Sequence, residues 1–190
     1  MALLASQCDA GETIYDIGTY LGFSSLALSF NQNTKVVTYD ICDCFHAKKE
    51  GQLSAKDISN ITFKIGDCTE LDEITEIAKA QLVVLDVDPH DGIQEKEIYT
   101  ALKDAGFKGI LVCDDINLNP PMKEFWDWVD LKKYDISKYG HWSGTGIVVF
   151  DDTQYDITMP LVGDSDERIG GIFGDWRVAL DGLHMGNYAQ

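Results

Sequence analysis

Short apolar runs alternate with segments of helical periodicity over the first 130 residues of the chain. The apolar runs have the length of buried strands, and they predict strands at Thr13–Ile17, Lys35–Tyr39, Ile61–Ile65, Leu82–Leu85 and Ile110–Cys113. The segments with helical spacing are Ser24–Phe30, Phe45–Leu53, Glu70–Lys79, Ile93–Asp104 and Pro121–Val129. This alternation is typical of an α/β protein with a doubly wound, mostly parallel, Rossmann-like sheet.

The pattern changes after residue 130. Lys132–Ser137 and Gly146–Phe150 read as two strands, and the residues between them contain no helical segment. Two strands joined without a helix pair in antiparallel fashion. We therefore expect seven strands, with an antiparallel strand closing an otherwise parallel sheet.

The organisation along the chain predicts one domain over residues 1–150 and an acidic, glycine-containing extension over 151–190. Ile169–Phe173 and Trp176–Leu183 are apolar enough for this extension to pack on or beside the domain, or to form an oligomer contact. The first strand begins barely a dozen residues into the chain, so we expect a domain taken from a longer, multidomain protein.

Charge limits the classes of partner. The formal net charge is -17, and no Lys/Arg cluster interrupts it, so nucleic acid and anionic membranes are not expected partners. The 5 cysteines have no zinc-site spacing and no disulfide framework, which suits a reducing compartment. With no signal peptide or membrane-spanning run, we expect a cytoplasmic protein, in the host cytoplasm if the protein is viral.

The run from Ile14 to Leu26 carries the first candidate site. A buried strand ends near Asp16, Gly18 and Gly22 bracket a turn, and a helical pattern starts at Ser24. Such a turn lets the backbone approach a nucleotide. The spacing is Gly-x-x-x-Gly, not the Gly-x-Gly-x-x-Gly that binds a pyrophosphate, so it suits an adenosyl ligand without phosphates, such as S-adenosylmethionine (SAM).

Two further strand ends fit the same ligand. Asp40 follows the second predicted strand, where an acid can accept hydrogen bonds from an adenosine ribose. Asp67 and Cys68 follow the third strand and are candidates for holding the adenine, although a plain turn is the simpler interpretation of Gly66-Asp67 taken alone.

A second cluster lies after the fourth and fifth strands. Asp86, Asp114 and Asp115 follow strands that we expect to be about 5 Å apart, so their carboxylates predict a hard oxygen site for Mg²⁺ or Mn²⁺. His90 lies in the same stretch and is a candidate general base. Its alternative roles are ordering the loop or acting as a fourth ligand.

These motifs resemble the class I SAM-dependent methyltransferases, and in particular the metal-dependent, catechol-type and sugar O-methyltransferases. The likeness runs from about Thr13 to Phe150, and the family's sheet has strand order 3-2-1-4-5-7-6. It implies a SAM site and a metal triad of Asp86, Asp114 and Asp115. The residues implied for SAM are Asp16, Gly18, Thr19, Tyr20, Gly22, Ser24, Asp40, Ile41, Asp67, Cys68 and Asp86.

The catalytic residues implied are His90 and Asp86, with one departure from the family pattern. Catechol-type enzymes place a basic residue three positions after the first metal aspartate, where this chain has Pro89, and His90 is one residue displaced. Asp88, His141 and Trp142 are candidates for the acceptor pocket. The expected activity is methyl transfer from SAM to a hydroxyl of a small diol, most simply a sugar or glycan.

Two other functions stay open at this level. Asp86-x-Asp88 after a hydrophobic strand also suits a nucleotide-sugar glycosyltransferase, although a lone Asp-x-Asp is a weak signal. A SAM-binding domain without turnover, working inside a larger protein, is the other alternative. The chain is also a candidate homo-oligomer.

Overall fold

The computed structural model describes residues 1–43, 59–139 and 142–151. Seven strands form one sheet: β1 (Thr13–Ile17), β2 (Lys35–Asp40), β3 (Ile61–Ile65), β4 (Leu82–Leu85), β5 (Ile110–Asp114), β6 (Lys132–Asp135) and β7 (Thr145–Val149). Their order is β3-β2-β1-β4-β5-β7-β6. The first five pair in parallel, and β7 is antiparallel to both β5 and β6. The predicted fold class and strand order are confirmed.

Five helices lie in the described residues: α1 (Ala2–Ala5), α2 (Phe23–Leu28), α3 (Leu71–Ile77), α4 (Ile93–Asp104) and α5 (Pro120–Trp128). The sequence did not predict α1, a single turn before β1. The predicted helix at Phe45–Leu53 lies outside the described residues, as do residues 152–190, so the proposed boundary at 150 stays a prediction. None of the helices described is long and apolar enough to cross a membrane.

The predicted sixth strand is too long at its carboxyl end. β6 stops at Asp135, whose Oδ1 accepts a 2.9 Å hydrogen bond from the Ser137 backbone N–H and a shorter one from the Ser137 hydroxyl. This side-chain turn satisfies the backbone in place of a strand partner, and a short 3₁₀ turn, Ser137–Tyr139, follows it.

The core lies on both faces of the central strands. All four residues of β4 are buried, which explains their unbroken apolar run. Trp126 of α5 is buried against Gly146 of β7, where a Cβ would come within 2.5 Å of the indole ring. The tryptophan therefore requires a glycine opposite it, and it is a core residue.

The register of the parallel strands positions the candidate site. Ile17 pairs with Leu85, and Leu85 pairs with Cys113. β1, β4 and β5 therefore end side by side at one edge of the sheet. The residues next in the chain after these three paired positions are Gly18, Asp86 and Asp114. The first motif and the acidic cluster therefore lie side by side.

Candidate functional site: a glycine loop beside an acidic cluster

Asp16 supports the glycine loop from its buried side. It is fully buried, and its Oδ2 accepts hydrogen bonds from the hydroxyls of Ser24 (2.9 Å), Thr38 (3.1 Å) and Ser25. Burial raises the pKa of Asp16 to about 6, although these three hydroxyls oppose the shift. Its Oδ1 is buried without a hydrogen-bond partner among the described residues. Thr38 and Ser25 are contributors that the sequence analysis missed.

The loop itself packs directly on the end of β4. Gly18 has φ 102°, and a Cβ there would lie 1.6 Å from the carbonyl oxygen of Asp86. The N–H groups of Gly18 and Thr19 both donate to the Tyr39 carbonyl, at 2.9 and 3.1 Å. Only glycine fits between these two strand ends. The loop and the acidic cluster are therefore in contact through the backbone.

Asp40 ties the top of the loop to β2. Its Oδ2 accepts a 3.0 Å hydrogen bond from the N–H of Tyr20, and its Oδ1 accepts one of 3.1 Å from the N–H of Cys42. Tyr20 adopts a positive φ of 40° and leaves its side chain 64% exposed. Phe23 and Ile41 are also exposed, at 71% and 80%, so the loop offers apolar surface to solvent.

Asp67 and Cys68 differ in their surroundings. Asp67 is exposed, and its Oδ1 accepts hydrogen bonds from the N–H (2.8 Å) and hydroxyl (2.7 Å) of Thr69, which lower its pKa. Cys68 belongs to the core, and burial raises the pKa of its thiol to about 12. The Asp67 side chain thus makes the local turn that the simpler interpretation expected, and the role at adenine stays a prediction.

The acidic cluster unites Asp86, Asp115 and His90. Each offers one possible ligand atom, and these atoms lie within 4.8 Å of one another. The His90 Nε2 is 3.5 Å from Asp115 Oδ2 and 3.4 Å from Asp88 Oδ1. Burial raises the pKa of Asp86 to about 6, with further contributions from the negative charges of Asp114 and Asp115. The two carboxylates and the imidazole thus face a common point.

The predicted triad differs from this group in its third member. Asp114 is the last residue of β5, and its Oδ1 accepts a 3.1 Å hydrogen bond from the hydroxyl of Thr145 on β7. Asp115 turns out of the strand with φ 58°. Within the described part of the chain, the group of possible ligand atoms contains His90 in the place predicted for Asp114.

His90 is held between that cluster and a buried glutamate. Its Nδ1 is 3.9 Å from Oε1 of Glu95 on α4, whose side chain is only 3% exposed. Burial raises the pKa of Glu95. The N–H groups of Gly92 and of Glu95 itself oppose that shift. Neither Glu95 oxygen, however, has a hydrogen-bond partner of normal geometry among the described residues.

Glu95 is the site residue that the sequence analysis missed, although a signal for it existed. It shares the buried face of α4 with Ile98, Tyr99 and Leu102, at the spacing of a core-facing helix stripe. A carboxylate at a core position of an amphipathic helix is unusual unless it has a partner.

The proposed acceptor-side residues are less enclosed. The side chain of Asp88 is 88% exposed, and Trp142 is 82% exposed. His141 lies outside the described residues. Their role in an acceptor pocket stays a prediction.

No family model and no curated protein matches the sequence. Solved structures do match. The SAH-bound Podospora anserina methyltransferase PaMTH1 has TM-score 0.53 and 15% identity, over 74% of this chain and 72% of that one. A Staphylococcus aureus protein assigned as a caffeoyl-CoA O-methyltransferase has TM-score 0.55 and 13% identity, over 73% and 76%. An rRNA methylase from Streptococcus thermophilus has TM-score 0.53 and 14% identity, over 78% and 92%.

These likenesses establish the fold, which is that of the class I SAM-dependent methyltransferases. One fold serves many substrates, and two of these names already indicate different acceptors, caffeoyl-CoA and rRNA. What the chain does must therefore be argued from its own site.

Proposed function

We propose that this chain is a SAM-dependent, metal-assisted O-methyltransferase that acts on a hydroxyl of a small diol, most simply a sugar or glycan. The observation that carries the proposal is the contact between the glycine loop and the acidic cluster, where Gly18 abuts the Asp86 carbonyl. A methyl donor on that loop would lie next to groups that can bind and deprotonate an acceptor.

The loop fits SAM in its polar and apolar groups. Asp40 stands at the end of β2, where it would accept hydrogen bonds from the ribose, and exposed Tyr20, Phe23 and Ile41 offer apolar contacts. The unpartnered Oδ1 of Asp16 adds a buried acceptor beneath the loop. SAM would supply an electrophilic methyl group on a sulfonium, and the negative charge of the site favours binding of that cation.

The acidic cluster fits a divalent cation. Asp86 and Asp115, which the predicted triad and the observed cluster share, present hard oxygen ligands. Burial and the negative charges of Asp114 and Asp115 raise the pKa of Asp86, and a cation would relieve the repulsion between these carboxylates. A metal there would lower the pKa of a bound hydroxyl.

The chain's own side chains complete the reaction. The acceptor hydroxyl must lose a proton, and His90 of the cluster and Asp88, 3.4 Å from it, are the candidate bases. Two roles suit His90, general base and third metal ligand. The carboxylate of Glu95 beside its second ring nitrogen, Nδ1, favours the role of metal ligand.

The experiment measures the two ligands and the turnover separately. Asp40→Ala is expected to weaken binding of S-adenosylhomocysteine (SAH) at least ~10-fold, with Mn²⁺ affinity within about twofold of wild type, because only one group of contacts is removed. Asp115→Ala is expected to do the reverse. Asp43→Ala and Asp127→Ala, at exposed aspartates, are the matched controls. Isothermal titration calorimetry gives both affinities.

Turnover is followed as SAH released from SAM with Mn²⁺ and a panel of catechols and free sugars. Asp86→Ala and Asp115→Ala are expected to abolish the metal-dependent rate while SAM still binds. Absence of SAH release across the panel, with SAM and Mn²⁺ bound, would favour the non-catalytic SAM-binding domain. Calorimetric binding of a nucleotide-sugar in place of SAM would contradict the proposal and favour a glycosyltransferase.

A further inference from the structure

His90 has a carboxylate beside each of its two ring nitrogens. Its Nε2 lies 3.4 Å from exposed Asp88 and 3.5 Å from Asp115, and it shares the cluster with Asp86. Its Nδ1 faces Glu95 at 3.9 Å on the opposite, buried side. A neutral imidazole donates from one nitrogen and presents a lone pair at the other, so its neighbours decide which nitrogen does which.

Apart from the N–H groups of Gly92 and of Glu95 itself, which lower its pKa without reaching normal hydrogen-bond geometry, the Glu95 carboxylate has no donor among the described residues. Both of its oxygens are buried and without a hydrogen-bond partner among the described residues, a costly state for a carboxylate. Its one ion pair within that part of the chain is with His90. The imidazole Nδ1–H is therefore the donor that this carboxylate faces. At 3.9 Å, His90 Nδ1 and Glu95 Oε1 lie just beyond hydrogen-bonding distance.

The backbone of His90 is fixed independently of its ring. The residue has φ 58°, a left-handed conformation, and its carbonyl accepts a 2.9 Å hydrogen bond from the side-chain amide of Asn119. Asn119 also caps α5 by accepting from the N–H of Met122 at 3.0 Å. The next glycine, Gly92, has no room for a Cβ against the Pro121 carbonyl, at 2.8 Å. The loop backbone is thus anchored to the start of α5, which fixes the position from which the imidazole ring projects.

We propose that His90 is the third protein ligand of the metal site, through Nε2, and that Glu95 is its positioning residue, which accepts the Nδ1–H and holds the lone pair of Nε2 toward Asp86 and Asp115. Histidine ligands commonly donate their other ring N–H to a carboxylate in this way, which fixes the tautomer and raises the basicity of the ligating nitrogen. Asp114, bonded to Thr145, then contributes charge near the cation rather than a ligand atom.

This inference rests on the metal binding in the proposed function, and its first test is spectroscopic. Electron spin echo envelope modulation of the Mn²⁺-loaded chain detects nitrogen bonded directly to the ion. A nitrogen signal is expected in wild type and its loss is expected in His90→Ala. If wild type binds Mn²⁺ without a nitrogen signal, His90 is not a ligand, and the metal-dependent function survives. If wild type binds no Mn²⁺, both ideas fall.

Affinity for Mn²⁺ tests the same assignment without turnover. His90→Ala is expected to weaken Mn²⁺ binding ~10–100-fold while SAH affinity stays within about twofold. A loss in Asp114→Ala that equals or exceeds the loss in His90→Ala would restore the carboxylate triad and overturn the assignment. SAH binding by each variant shows that it has folded.

Glu95 has a matched control on its own helix. Glu95→Gln keeps the size of the side chain but removes its charge, and it is expected to weaken Mn²⁺ binding ~10-fold or more. Glu97→Gln makes the same change at an exposed position of α4 and is expected to leave affinity unchanged. Nitrogen-15 NMR of labelled histidine should find the proton of His90 on Nδ1 in wild type and a mixture of tautomers in Glu95→Gln. An unchanged tautomer with unchanged affinity would show that Glu95 does not position His90.

Discussion

Replacing Gly18 by alanine tests whether the loop and the acidic cluster are one structural unit. The new Cβ would lie 1.6 Å from the Asp86 carbonyl oxygen, whereas real Cβ contacts essentially never fall below 3.0 Å. Both atoms belong to the backbone at strand ends, so neither can move away by a change of side-chain rotamer. The ends of β1 and β4 must separate.

Gly11→Ala is the matched control because Gly11 has a similar backbone conformation and a donating N–H, but no atom that a new Cβ would clash with. Gly11 has φ 91°, close to the 102° of Gly18, and nothing lies within 4 Å of a Cβ built on it. The N–H of each donates to a carbonyl, at 2.8 Å from Gly11 to Asn33 and 2.9 Å from Gly18 to Tyr39. Both substitutions pay ~1–2 kcal/mol for the left-handed backbone. Gly18→Ala adds an overpacking cost of ~1–3 kcal/mol.

Urea unfolding followed by circular dichroism measures the difference. Gly18→Ala should lose ~2 kcal/mol more than Gly11→Ala, which for a chain of this size lowers Tm by roughly 4–8 °C more. It should also weaken both SAH and Mn²⁺ binding, because the loop and Asp86 are displaced together. Equal stability of the two variants would refute the contact, and with it the argument that joins the two halves of the site.

Two further substitutions test burial and helix capping. The folded-state pKa of Asp16, about 6, lies above the unfolded value of 3.8, so the folded chain holds the extra proton, and stability is lost as pH rises from about 4 to 6. Asp16→Asn should remove up to ~3 kcal/mol of that fall in urea titrations from pH 4 to 7, and an unchanged slope would contradict the pKa shift. The Nζ of Lys133 donates to the carbonyls of Trp126, of Asp127 (3.1 Å) and of Val129 (2.8 Å) at the end of α5. Lys133→Met should cost ~1–2 kcal/mol, against less than ~0.5 kcal/mol for exposed Lys132→Met, and equal losses would exclude the cap.

The central parallel strands β1, β4 and β5 could be located from the sequence to within a residue because they are covered on both faces. β4 has no exposed position to interrupt its apolar run, so the run and the strand coincide. The ends of helices were less accurate. The predicted end of α2 was two residues too late. The apolar pattern continues to Phe30, but the helix ends at Leu28 and the Phe30 side chain is 65% exposed.

The candidate site was predictable as far as it depends on where strands end. Asp16, Asp40 and Asp86 lie at such ends, and a parallel sheet brings them to one edge. Thr38 could not be found this way, because its hydrogen bond to Asp16 follows from the register that pairs the two residues. Glu95 stands at a core position of the α4 pattern, which marks it as unusual, but the group that it faces depends on how α4 packs.

The loops at this edge of the sheet also differ in backbone conformation from loops in which an aspartate only caps a turn. The non-glycine residues with positive φ in the described ranges are Tyr20, His90 and Asp115, and all three lie at the candidate site. Each costs ~1–2 kcal/mol relative to a relaxed backbone. An aspartate that merely caps a turn does not require such a conformation at its neighbours.

Each of the three strained residues is held by a backbone hydrogen bond: the Tyr20 N–H donates to Asp40, the His90 carbonyl accepts from Asn119, and the Asp115 carbonyl accepts from the Leu118 N–H at 2.9 Å. The bonds come from the ends of β2 and α5 and from the turn after β5, so different parts of the fold support one small region. Strain that the surrounding structure maintains at a single edge of a sheet is typical of a preorganised binding site. It supports a functional interpretation of the cluster for a reason independent of its charge.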